Sequence, residues 1–178
     1  MLIAASRPGA LPAGLQGPWS CSYRAPWNGN YQLNINIQLI YNPCGPLDLP
    51  ECHSPLLEWT RAMVEPGRRA AEAYYGSGGW VTHSTGNIWG YASPGTNIEW
   101  GLFPCGAAWL CRHLWEHYEF TGDAKYLEEE AYPVMLEAAR FWLENLVKSG
   151  QGLISAPSVS AEHESALGFT APSFQDIV

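Results

Sequence analysis

The sequence predicts an all-α fold in which helical hairpins are joined by long loops rich in Trp, Gly and Pro. Two observations carry that expectation. Apolar residues recur at helical spacing through 54–75 and again through 104–146, each a stripe wide enough to face a core. The turn formers Gly76, Gly79, Gly122, Gly150 and Gly152 fall at the ends of those runs, where helices stop.

From Ser6 to Trp27 the prolines at 8, 12, 18 and 26 stand too close together for a helix, so an ordered loop anchored by Trp19, Tyr23 and Trp27 is expected. Gln32-Leu33-Asn34-Ile35-Asn36-Ile37-Gln38-Leu39 then alternates strictly between polar and apolar, the signature of an extended segment. With a period of two, its four carboxamides would share one face. Such a face is the solvent side of an ordinary edge strand, or a polar wall able to hold sugar hydroxyls or a water molecule.

Between Ser54 and Tyr75 two helices are expected, broken at Pro66-Gly67. The stretch 80–90 that follows is an aromatic, hydroxyl-rich loop carrying His83 and Trp89. A helix over 104–120, a turn at Thr121-Gly122-Asp123 with Asp123 as N-cap, and a second helix ending near Gly150 form an antiparallel hairpin. Pro133 should kink its second arm. Beyond it, Ser158-Val159-Ser160-Ala161-Glu162-His163-Glu164 sets carboxylates and a histidine in a polar loop after a rigid element. It is either a solvated turn or a place for catalytic groups.

Composition excludes several classes. The 178 residues are 47% hydrophobic and 15% charged, which is globular rather than disordered. Nine Lys and Arg against 17 Asp and Glu give a net charge of -8, which disfavours nucleic acid and anionic membranes as partners. No run of about 18 apolar residues exists to span a bilayer. Residues 1–10 lack the basic start of a signal peptide. The five cysteines show neither C-x-x-C nor zinc-ligand spacing, and buried free thiols are expected. His113-Leu114-Trp115-Glu116-His117 is a literal H-x-x-E-H. It is set aside as a zinc site because such a site also needs a further acidic ligand downstream and an open cleft, and a helix has ordinary reasons to carry polar residues on its flank; no cofactor is expected. Nine Trp and nine Tyr exceed what a core of this size needs, and flat apolar faces suit sugar rings.

Five stretches, in this order and spacing, resemble glycoside hydrolase family 95: Leu11-Pro12-Ala13-Gly14-Leu15-Gln16-Gly17 with Trp19; Leu33-Asn34-Ile35-Asn36; Gly79 to His83 with Ile88-Trp89-Gly90; Gly106 to Cys111 through Thr121-Gly122-Asp123; and Ser158 to Glu162. They cover nearly the whole chain, which corresponds to only part of a typical member. The resemblance implies an incomplete (α/α)6 toroid, one piece of a single catalytic domain without its N-terminal β-sandwich or the downstream half of the toroid. It also implies hydrolysis of terminal α-L-fucosyl linkages, notably α-1,2, with inversion. Inversion needs an acid and a base whose carboxyls stand roughly 6.5–9.5 Å apart.

By the same resemblance Glu162 is the general acid, Asn34 and Asn36 hold the attacking water, and Gln32, His83 and Trp89 lie on the sugar side; the aspartate base falls beyond Val178. The implied partner is a fucosylated oligosaccharide or glycan. This sequence departs from the family at Gln32 and Ser84, where histidines are common, at Asn87, where aspartate is common, and at Ile40 and Asn42, which interrupt the usual Asn-Tyr-Trp. Those substitutions also fit a catalytically inactive carbohydrate-binding or interaction domain.

Overall fold

A computed structural model describes residues 2–16, 19–95, 97–150 and 152–156. Among them the elements run α1 (Leu2–Ala5), β1 (Tyr31–Gln32), α2 (Asn36–Tyr41), α3 (Pro50–Ala62), α4 (Val64–Tyr75), β2 (Thr85–Gly86), α5 (Ile98–Gly101), α6 (Gly106–Thr121), α7 (Ala124–Tyr126), α8 (Tyr132–Asn145), β3 (Leu146–Ser149) and β4 (Gly152–Ser155). The described chain is thus mainly helical, as expected from its periodicity. Its strands form two short antiparallel pairs, β1 with β2 and β3 with β4.

Helix α3 begins with Pro50 in its first turn, where a missing N–H costs nothing. It ends at Ala62 because Pro66, four residues on, has no N–H to offer that carbonyl. The break therefore falls at Met63, three residues before the expected Pro66-Gly67, and Pro66 sits in the first turn of α4. Gly76 closes α4 in the left-handed conformation (φ 62°), with Ser77 N–H reaching back to the Ala71 carbonyl at 3.3 Å.

The second hairpin matches its sequence signals. Gly122 takes φ 68° at the end of α6, and the Asp123 carboxylate accepts the Tyr126 N–H at 3.0 Å. Pro133 lies in the first turn of α8, and the irregularity expected of it appears one turn earlier. Residues Leu127–Ala131 form a wide turn in which Tyr132 N–H bonds the Leu127 carbonyl, five residues back. The helix was expected to run to Gly150, but it stops at Asn145. Leu146–Ser149 pair instead with Gly152–Ser155 as an antiparallel ladder, from Leu146 opposite Ser155 to Ser149 opposite Gly152.

Packing follows the amphipathic stripes. Helix α3 lies on α6, and α4 and α6 both lie on α8. Their shared core holds Leu56, Leu110, Leu114, Trp80 and Phe141, all fully enclosed. The indole of Trp80 donates to the Val134 carbonyl at 2.9 Å, so the largest core side chain has its one polar atom satisfied. Gly79 adopts φ +74° where α8 crosses it. A Cβ there would stand 2.3 Å from the Glu137 carbonyl oxygen and 2.5 Å from the Phe141 nitrogen, so only glycine allows that approach. Outside the core, Arg68 forks onto Glu137 and Arg61 meets Glu130, tying α4 and α3 to the α8 arm. No disulfide joins the five cysteines; Cys44, Cys52, Cys105 and Cys111 are buried and Cys21 is exposed.

Candidate functional site

The alternating segment 32–39 is where sequence and structure diverge most. Only Tyr31 and Gln32 form a strand, paired with Gly86 and Thr85, and the Leu33 N–H continues the ladder to the Ser84 carbonyl at 2.7 Å. The chain then turns, and Asn36–Tyr41 is helical. The reason lies in the residues just past the alternation. Ile37 and Tyr41, four residues apart, are both buried by the helix, and Leu33 is buried at the turn before it, whereas Ile35 and Leu39, apolar positions of the supposed strand, remain exposed. Gln38 stabilises the turn by donating its Nε2 to the Leu33 carbonyl at 2.7 Å. The four carboxamides therefore do not share one face. Gln32 is half-buried in β1, Asn34 sits in the turn, Asn36 opens α2, and Gln38 points into the core.

Asn34 shares with Gln38, Thr60, Thr82 and Tyr126 a buried side-chain oxygen, here Oδ1, that no hydrogen bond satisfies among the described residues. An enclosed amide oxygen left this way costs about 1–3 kcal/mol, a penalty that a water or a ligand hydroxyl would remove. Asn36 lies two residues on, along a mostly apolar groove of about 570 Å³ with Leu2, Ile3 and Leu39.

His83 is fully enclosed, with 0% of its surface exposed. Its Nδ1 stands 2.8 Å from the Ala92 carbonyl, which can only accept, so Nδ1 carries the proton. The free Nε2 accepts from the Tyr75 hydroxyl at 2.8 Å, and the two rings stack 5.9 Å apart. Burial lowers the imidazole to about 4, so it is neutral at ordinary pH. With both nitrogens committed inside the protein, His83 holds the loop that carries Trp89.

That loop is tightly fixed. The Asn87 Oδ1 accepts from Trp89 N–H at 2.9 Å and Tyr91 N–H at 3.1 Å, while its carbonyl accepts from the Trp59 indole at 3.2 Å. Trp89 itself is 86% exposed, on the edge of a groove of about 430 Å³ between α4 and residues 87–93. None of Gln32, Asn34 and Asn36 lines that groove, so the structure brings the asparagine turn beside Ser84 but does not place it with Trp89 in one cavity. Glu162 and the loop 158–164 lie outside the described residues.

The H-x-x-E-H residues are employed in packing. His113 Nδ1 stands 3.3 Å from His53 Nε2, His117 lies edge-on to His53 and Tyr126, and Glu116 pairs with Arg112 at 3.0 Å. Among the described residues no group of three His, Cys, Asp or Glu is arranged to hold a metal ion. His53 was not singled out from sequence, since it is an isolated histidine 60 residues from its partner.

Residues 1–174 match the glycosyl hydrolase family 95 catalytic domain. Alpha-L-fucosidase 2 of Arabidopsis thaliana is 41% identical over 174 residues, which are 97% of this chain and 20% of that protein. Probable alpha-fucosidase A of Aspergillus niger is 37% identical over 171 residues, 92% of this chain and 21% of that protein. A kojibiose hydrolase of Flavobacterium johnsoniae is 24% identical over 116 residues, 65% of this chain and 17% of that protein. The chain spans about a fifth of the length of the curated relatives it matches. A match running through nearly all of its 178 residues leads to one conclusion: the chain belongs to glycosyl hydrolase family 95 and corresponds to part of its catalytic domain.

Proposed function

We propose that this chain is one part of an (α/α)6 catalytic domain that hydrolyses terminal α-L-fucosyl linkages, α-1,2 among them, with inversion. Glu162 is the general acid that protonates the leaving oxygen. Asn34 and Asn36 hold the attacking water, and the carboxylate base comes from sequence outside these 178 residues. Gln32, beside Asn34 on β1, and Trp89 face the glycan, and His83 acts through the loop it fixes. The substrate is a fucosylated oligosaccharide or glycan.

The observation that carries this reading is the Asn34 Oδ1, enclosed and without a partner among the described residues, at a position that corresponds to a water-holding asparagine by resemblance. An amide oxygen so placed accepts a hydrogen bond from water and turns the water's lone pair toward the reacting carbon, while the Nδ2 group still has N–H bonds to donate. For Glu162 to protonate a leaving oxygen near neutrality its carboxyl must be raised by a partly dry pocket.

The test uses a protein in which this segment is joined to the rest of its catalytic domain. Glu162→Gln should abolish hydrolysis of fucosides with poor leaving groups, while sparing activated aryl fucosides, whose departure needs no proton. Equal loss on both substrates removes Glu162 from the acid role. Asn34→Ala should lower kcat on both.

A further inference from the structure

We propose that Gln38 is a positioning residue for the hydrolytic step: its side-chain amide aims the peptide between Leu33 and Asn34, and through it the Asn34 side chain that holds the attacking water. This inference rests on the role given to Asn34 above.

One peptide plane decides where Asn34 points. The Leu33 carbonyl and the Asn34 N–H belong to the same rigid unit, so fixing the carbonyl fixes the direction in which the chain enters Asn34. The helical ladder does not reach that carbonyl. Helix α2 has Ile35 as its N-cap, and the Ile35 carbonyl accepts Leu39 N–H at 2.9 Å, which leaves Leu33, two residues earlier, outside the helix. Leu33 is fully enclosed, so its carbonyl needs a partner within the fold. Gln38 supplies it, with Nε2 donating at 2.7 Å. On the other side the Leu33 N–H is held by the Ser84 carbonyl at 2.7 Å. Leu33 is thus clamped at both peptide groups, and Asn34 is the first residue beyond the clamp.

Packing alone does not explain a glutamine here. Gln38 is 1% exposed, and its Oε1 is enclosed with no hydrogen-bond partner among the described residues. A methionine of similar length would fill the space without stranding an amide oxygen, and what it lacks is the N–H that Leu33 receives. The helix carrying Gln38 is also secured at its far end. The buried Tyr41 hydroxyl accepts Ala13 N–H at 2.7 Å and donates to Ser6 Oγ at 2.6 Å, because Ser6 gives its own proton to the Cys52 carbonyl at 2.8 Å. Gln38 therefore reaches Leu33 from a fixed platform, which is what holding a reacting group within about 0.5 Å requires. These contacts are enclosed within the segment itself, so they stand whichever of its outer surfaces the rest of the catalytic domain covers.

The experiment uses a protein in which this segment is joined to the rest of its catalytic domain, assayed on an activated aryl α-L-fucoside. Gln38→Met should lower kcat about tenfold to a hundredfold with KM within about twofold, because a misaimed Asn34 spoils water attack and not sugar binding. In an Asn34→Ala background the same substitution should change kcat less than about twofold, since the side chain it aims is gone. Gln38→Glu keeps the shape and can donate to the Leu33 carbonyl only while its carboxyl holds a proton, so its kcat relative to the parent should fall between pH 5.5 and pH 9; this variant carries the test if Gln38→Met does not fold. The proposal is overturned if Gln38→Met keeps kcat within about twofold of the parent, if the two losses multiply in the double variant as for a merely structural residue, or if the Gln38→Glu ratio is flat over that range. An Asn34→Ala variant with the parent's kcat overturns the water-holding role and this inference together, whereas a slow Asn34→Ala beside an unaffected Gln38→Met overturns this inference alone.

Discussion

Acidification from pH 7.5 to 5.5 should cost this chain about 4 kcal/mol of folding free energy. His53, His113 and His83 are buried, and burial is the leading cause holding them down, to about 3, about 4 and about 4, from an ordinary value of 6.5. In His53 the neighbouring His113 and His117 add to the effect, and in His113 the Arg112 guanidinium does. His117 is lowered by burial too, with Asp123 and Glu130 opposing. Because the folded values lie below the unfolded one, the unfolded chain takes up protons first as pH falls. Stability is therefore complete above about pH 7, declines through 6.5, and goes on declining until the folded values near 4 and 3 are reached.

Down to pH 5.5 all three rings remain neutral in the folded chain, so their mutual repulsion does not enter. Each loses about 1.3 kcal/mol over that interval from the unfolded-state proton alone, and the three together lose about 4. Against a typical stability of ~5–15 kcal/mol this is a large share. Urea unfolding followed by far-ultraviolet circular dichroism at pH 7.5, 6.5 and 5.5 measures it directly. The variant His83→Gln should reduce the loss by about a third. A change below about 1 kcal/mol between pH 7.5 and 5.5 would refute the reasoning, since it would mean these imidazoles titrate as freely in the fold as out of it.

Two further outcomes follow from the packing. Gly79→Ala should destabilise by more than about 2 kcal/mol, because a Cβ 2.3 Å from the Glu137 carbonyl oxygen forces α8 off the core and φ +74° disfavours any side chain; an unchanged Tm would contradict this. Asp123→Ala should cost about 1 kcal/mol by releasing the Tyr126 N–H at the start of α7, and Asp123→Asn, which keeps an acceptor, should recover most of it in the same thermal scan.

What could be read from the sequence was whatever local chemistry settles locally. Gly122 and Asp123 end one helix and begin the next without help from the rest of the chain, and the hairpin they make was legible. Pro66 was legible as a breaker, but its effect lands four residues earlier, on the carbonyl that lacks its donor. The segment 32–39 misled because alternation over eight residues also contains a four-residue apolar recurrence. Long-range contacts, the Ser84 carbonyl and the enclosed floor beneath Ile37 and Tyr41, decide between the two. The β3 and β4 hairpin gave no signal strong enough to stop a helix at Asn145. His83 illustrates the site: its type and neighbours suggested a ligand-facing group, and only the positions of Tyr75 and Ala92 reveal that both nitrogens are used internally.

The narrow ladder joining Tyr31–Leu33 to Ser84–Gly86 fixes how this region can change length. Trp59 backs it from one side, edge-on to the Tyr31 ring at 4.9 Å and so close over Gly86 that a Cβ there would stand 2.8 Å from it. One residue added within 84–86 would slip the pairing and turn alternate side chains to the opposite side, carrying the asparagine turn away from its present neighbours. Extra residues placed after Ala92, beyond the last bond from His83, would leave that alignment intact. Length variation among natural and engineered versions should therefore accumulate downstream of Ala92, and a shuffled chimera spliced between Gln32 and Thr85 must take both sides of the ladder from one parent.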